Sequence, residues 1–192
     1  MAHGLDPQQH ATKRQSSRYN FYEIPTKARA SMTGSDLAKM YEFSFAAIRR
    51  NLENLSHAES VLTPPNGGNC LNWVLGHMVV ARNTVLRLAG GSPLQMGEMT
   101  VYQRGSSPCG SDGYRDLATL RGFLDDSQQQ LLPALAAMSE SKLASPVPEP
   151  FNRSPLTGSV GDALTRLHYH EGYHNGQIGL LRRIAGKEGA IR

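Results

Sequence analysis

Apolar residues recur at three- and four-residue spacing in four stretches of the chain, and no stretch alternates convincingly with a period of two. The first stretch predicts a helix capped at Ser35, with Leu37, Met40, Tyr41, Ile48, Leu52 and Leu55 on its apolar side and an end near Ser56 and His57. His57, beside Glu59 at that end, reads as a surface histidine or one that meets the helix dipole. After the breaker segment TPPNGG (63–68), Asn69 is placed to cap a second helix. Its inward set is Leu71, Val74, Met78, Ala81, Val85 and Leu88, and Gly90 and Gly91 stop it. A link rich in Gly, Ser and Pro follows over 91–113. Loops of that length without structure of their own are uncommon and often functional. The third helix is expected over 114–143, with Leu117, Leu120, Leu124, Leu131, Leu135 and Met138 inward and a kink at Pro133. An irregular loop covers 145–155, and Ser159 with Asp162 three residues on marks a capping-box start for the fourth helix. Four helices without a strand predict an all-α four-helix bundle, and the long crossover lets the third helix run parallel to the second.

The chemistry lies where the pattern is broken. Residues 164–183 read LTRLHYHEGYHNGQIGLLRR, with an apolar stripe through Leu164, Leu167, Leu181 and Ile184. At about 100° per residue, His170 and His174 lie about 40° apart on one face, while His168 points elsewhere. With Gln177 they interrupt the stripe. His77 repeats the anomaly on the second helix, three residues after Val74 and four before Ala81. Polar groups on a core-facing stripe must find partners. These imidazoles are therefore either satisfied core residues or ligands to one metal. Facing helices of a bundle deliver ligands inward, which favours a shared site of His77, His170 and His174. Three imidazoles with an open fourth position match a catalytic site better than a closed structural one, and imidazole suits Zn, Ni and Fe alike.

Gln177, three residues after His174, is placed to hydrogen-bond a ligand histidine or a molecule on the metal. Tyr173 either does the same or packs at the core edge. Glu171 sits about 100° round from His170, as a surface or interface glutamate or as an acceptor or base behind the site. HEGYH also matches the zincin string H-E-x-x-H. Zincins, however, take a third ligand well downstream, and only 18 residues follow His174, with Glu188 the single acidic one among them. Gly172, Gly176 and Gly179 leave one side of this helix with little bulk, allowing a second helix to approach from within the bundle or from a partner chain. Trp73 reads as core or interface. Cys70, seven residues before His77, either turns its thiol toward the site or has no role, and nothing marks out Cys109.

Composition narrows the class. Net charge is +4, but residues 1–31 hold five basic and two acidic groups, which leaves +1 for the remainder. Basicity is a property of the tail, so no nucleic-acid-binding face is expected. Two widely spaced cysteines make neither a disulfide framework nor a zinc ribbon, and free thiols point to a reducing cytoplasm. No apolar run approaches the roughly 20 residues of a membrane helix, and no signal-peptide core follows the basic start. Residues 1–33, rich in Gln, Ser, Lys and Arg, read as a mobile, disordered arm, or as sequence upstream of a true start at Met32. That leaves 34–192 as the bundle domain.

NWVLGHM around His77, followed far downstream by HEGYHNGQIGLLRR, resembles the DinB/YfiT-like family of metal-binding four-helix bundles across roughly residues 35–186. The resemblance implies an up-down-down-up bundle, a homodimer formed through helix faces, and metal ligands at His77, His170 and His174. Characterised members include thiol-dependent transferases and isomerases. By likeness this chain would transfer a low-molecular-weight thiol to electrophilic small molecules in detoxification or stress, the metal lowering the pKa of the thiol. Arg82 or Arg182 would then meet a carboxylate on thiol or substrate, or else lie on a solvated helix face. Two alternatives stand beside this reading: a metal-hydroxide hydrolase of small molecules, and a metal-stabilised bundle that binds a partner without catalysis.

Overall fold

A computed structural model of the chain describes residues 32–106 and 113–191. Of the arm expected over residues 1–33, residues 1–31 lie outside the described residues, as does Cys109. Six α-helices are found within them: α1 (Gly34–Leu52), α2 (His57–Ser60), α3 (Leu71–Leu88), α4 (Leu117–Ala136), α5 (Glu140–Ala144) and α6 (Val160–Ile184). A 3-10 turn, Thr100–Tyr102, interrupts the crossover. Among the described residues there is no strand, only an isolated bridge between Pro146 and Ser159. No helix among them is long and apolar enough to cross a membrane.

Local chemistry explains the boundaries, and several differ from the sequence expectation. The cap of α1 is Thr33, not Ser35: Thr33 accepts from the Asp36 amide while the Asp36 carboxylate accepts from the Thr33 amide. Gly34 occupies the next position because α4 ends directly above it. A Cβ there would lie 2.2 Å from the Leu135 carbonyl oxygen. The helix stops at Leu52, before Leu55, and the chain turns through Asn54 at φ 56° into the separately capped α2. Cys70, not Asn69, caps α3, and does so without a side-chain hydrogen bond. The third predicted helix is really two. α4 ends at Ala136, three residues past Pro133, and Ser139 then accepts from the Lys142 amide to begin α5. At α6 the Ser159–Asp162 capping box forms as expected. Ile184, assigned to the apolar stripe, is exposed at the last position of α6.

The long helices α1, α4, α3 and α6 form a square in that order, with α1 and α3 on one diagonal. Cross-contacts give their directions. Tyr41, Ser44 and Asn51 of α1 meet Leu164, Glu171 and Asn175 of α6 in ascending order, so these two run parallel. Asn72 and Arg82 meet Arg115 and Gln128 likewise, which aligns α3 with α4. Gly34 against Leu135 and Arg49 against Asp125 run in opposite order, making α1 and α4 antiparallel. The bundle is up-down-down-up, as the crossover length and the resemblance implied.

Its core divides into two apolar halves. One gathers Ile48, Leu52, Leu75, Met78, Leu120, Leu124 and Ile178. The other gathers Leu37, Tyr41, Val85, Leu131, Leu135 and Leu164. Between them lies a polar layer to which every long helix contributes: Ser44 (α1), Arg82 (α3), Ser127 and Gln128 (α4) and Glu171 (α6), all buried.

Candidate metal centre

The rotation of α6 that buries Ile178 and Leu181 also turns His170 and His174 toward α3, where His77 faces them. One ring nitrogen from each histidine lies within 4.8 Å of the other two. Nε2 of His170 is 3.2 Å from Nε2 of His77 and 3.0 Å from Nε2 of His174. Zn–N bonds of about 2.0–2.1 Å in a tetrahedron imply nitrogens about 3.3 Å apart. The spacing therefore matches three imidazoles around one ion.

Hydrogen bonding on the far side of two rings sets their tautomers. His77 Nδ1–H donates to the Tyr102 carbonyl at 2.8 Å, and His174 Nδ1–H donates to Gln177 Oε1 at 2.6 Å. A neutral imidazole has one N–H, so both Nε2 atoms present lone pairs to the shared point. His170 can offer at most one proton between those two lone pairs. Its own Nδ1 is buried without a partner among the described residues. Crowded lone pairs at ligand spacing fit a cation. Burial, reinforced by His174 and His77, holds the His170 imidazole down to about 4. Burial also lowers His77 and His174, partly offset by the Tyr102 carbonyl and by Gln177 respectively. All three rings are thus neutral near pH 7, the protonation state in which imidazole binds metal.

Of the flanking residues, Gln177 meets a candidate ligand histidine as its spacing suggested. Gln177 braces His174 with its oxygen, while its amide donates to the Tyr173 hydroxyl at 3.3 Å. Tyr173 is exposed, with its ring edge-on to His174. Trp73 stacks on His77, centroids 4.8 Å apart and planes 12° from parallel, a role that its spacing of four from His77 could have signalled. Cys70 is buried in the core at the start of α3, outside the histidine cluster, and burial raises its thiol.

Glu171 is neither a surface nor an interface residue. It is 4% exposed, and Arg82 grips it with two hydrogen bonds, Nε to Oε2 at 2.7 Å and Nη2 to Oε1 at 2.8 Å. Ser44 donates to the same carboxylate. Arg82, 1% exposed, spends its remaining nitrogen on Gln128 Oε1 at 2.9 Å and Ser127 Oγ at 3.2 Å. It therefore lies on no solvated face and cannot reach a substrate carboxylate. Arg182 is likewise buried, donating to the carbonyls of Asn51, Glu53 and Glu188.

Fold and site define a class: an up-down-down-up four-helix bundle that converges three imidazoles between its second and fourth long helices, a cluster that could hold a metal ion. The model of the DinB superfamily matches residues 40–178. The chain belongs to that superfamily. Among solved structures, the crystal structure of a conserved protein from Enterococcus faecalis is similar, with a TM-score of 0.62 over 82% of this chain and 100% of that one, at 15% identity. Likeness at that identity establishes the fold alone. No curated protein matches the chain.

Proposed function

We propose that the protein is a metal-dependent thiol S-transferase acting on electrophilic small molecules, with Zn, Ni or Fe held by His77, His170 and His174. One observation supports this most directly: three neutral imidazole nitrogens meet at ligand spacing, and no carboxylate joins them among the described residues. A divalent ion there would keep a position for an outside ligand and favour the thiolate form of a bound thiol. The chain's own part is preorganisation. Tyr102 and Gln177 fix the outer nitrogens of two rings, and Trp73 walls one side of His77. Glu171, committed to Arg82, is not free to act as a base. S-transfer suits such a site because the substrates supply the reacting atoms. The thiol releases its proton to solvent, sulfur bonds to the electrophilic carbon, and the leaving group departs with the electron pair.

Zinc-, nickel- and iron-loaded protein titrated with a panel of low-molecular-weight thiols, then offered an aryl chloride, tests this reading. Saturable binding of one thiol, with chloride released only in its presence, is the expected outcome. Thiol-independent ester or amide turnover would replace the reading with hydrolysis, and inertness toward every class would leave a binding bundle.

We propose further that two copies pair through the outer face of α6. Tyr169, Tyr173 and Leu180 are exposed there on one stripe. Gly172 and Gly176 on that stripe face open space, whereas Gly179 packs on Asn51. Ridges of tyrosine beside glycine gaps suit a self-complementary two-fold contact. Leu180→Arg is expected to convert a dimer to a monomer in sedimentation without loss of bound metal, and a monomeric parent would refute the pairing.

A further inference from the structure

The crossover between α3 and α4 is pinned to α3 at three points within the six residues that end at His77. Trp73 Nε1 donates to the Val101 carbonyl at 2.7 Å and to Ser106 Oγ at 3.0 Å. The Tyr102 hydroxyl donates to Asn72 Oδ1 at 3.0 Å and accepts from the Arg115 amide at 2.7 Å, which satisfies a buried phenol on both counts. The third point is steric. The Tyr102 ring, wholly buried, lies so close over Gly76 that a Cβ there would sit 2.2–2.6 Å from three ring carbons. Glycine at 76 is therefore required by this approach and not by its own backbone conformation, which is helical. The carbonyl of Tyr102, the residue held this way, receives the His77 Nδ1 proton.

We propose that Tyr102, docked on Gly76, is the positioning residue of the metal centre: its seat sets the carbonyl that holds His77 as the Nδ1–H tautomer, lone pair turned to His170 and His174. The proposal rests on the three-histidine metal reading and is independent of S-transfer. It assigns a task to each polar or small residue of the Asn72-Trp73-Val74-Leu75-Gly76-His77 segment. Asn72 and Trp73 grip the crossover, Gly76 admits the ring, and His77 is aimed by the result. Partners one step behind a ligand histidine commonly change metal affinity by about 10- to 100-fold when lost.

The test uses the full chain as wild type, Gly76→Ala, Tyr102→Leu and Tyr102→Phe, with Leu131→Ala as a control in the other half of the core. Zinc affinity is measured by competition with a chelating dye. The His77 tautomer is read in the metal-free protein from imidazole nitrogen shifts. Gly76→Ala and Tyr102→Leu are expected to weaken zinc binding by about 10- to 100-fold and to mix the His77 tautomers. Tyr102→Phe, which keeps the ring on Gly76 but gives up the hydroxyl bonds to Asn72 and Arg115, should fall between wild type and Tyr102→Leu in both. Leu131→Ala should lower thermal stability while leaving both readouts unmoved. If Gly76→Ala fails to fold, Tyr102→Leu carries the same expectation. Wild-type zinc affinity with an unmixed Nδ1–H tautomer in Tyr102→Leu or Gly76→Ala would overturn the proposal. A wild type that binds no metal would sink the metal reading instead, and the tautomer comparison would still decide the role of Tyr102.

Discussion

Arg82→Met is expected to destabilise the fold by about 3–5 kcal/mol in urea unfolding, more than any surface substitution. The variant keeps an unbranched apolar stem but leaves the Glu171 carboxylate in the core with only Ser44 donating to it. Taking an ionised group out of water is costly, and here the compensation comes almost wholly from one guanidinium. Arg82→Met with Glu171→Leu should recover much of the loss, since removing both charges also removes the desolvation cost. Recovery should be incomplete because Ser127 Oγ and Gln128 Oε1 lose their donor. The signature is a coupling energy of about 2 kcal/mol or more in the double-mutant cycle. A single variant within about 0.5 kcal/mol of the parent, the range of surface substitutions, would show that the pair is not the closed ionic layer described here.

That layer also bears on the site. Glu171 lies between His170 and His174 on α6, and its bidentate contact with Arg82 opposes rotation of the helix about its axis. The same contact divides the core into two apolar halves, so that sliding any one helix by a turn would bury an unpaired polar group.

Metal should change stability on a comparable scale, and the histidine variants should reveal it by the difference between metal-loaded and metal-free protein. An ion that binds only the folded chain stabilises by about 2.7 kcal/mol at one hundred times its Kd and about 4.1 at one thousand times. His170→Ala should abolish that gain. In metal-free protein the same substitution should cost far less, because the ring it removes crowds two lone pairs and buries an unpartnered Nδ1. Thermal unfolding with chelator or with excess zinc gives both values. A His170→Ala variant that loses equal stability in both conditions would assign the ring to packing and not to metal.

The four long helices were legible because their apolar spacing is regular, and the histidines because they interrupt it. The Arg82–Glu171 pair is readable by the same rule applied evenly. Arg82 lies four residues after Met78 and four before Leu86, and Glu171 seven from both Leu164 and Ile178, all of them buried. A lone charge on a helix is ordinarily a mark of solvent, whereas here each charge buries the other across 89 residues of chain. The break after α4 was hidden for a different reason. Leu135, Met138 and Leu143 keep a helix-like rhythm across it, while α4 runs through Pro133 to end at Ala136 and Ser139 caps a new helix. Tyr102 was beyond reach because a loop residue has no period to violate, and its place follows only from the hole left by Gly76.

Elemental analysis of purified wild type beside His77→Ala and His174→Ala, each also offered Zn, Ni and Fe, tests the central claim most directly. About one ion per chain in the wild type, lost from both variants while their helical content persists, is the predicted result. A wild type that refuses all three metals, or variants that retain the ion, would contradict the three-histidine centre.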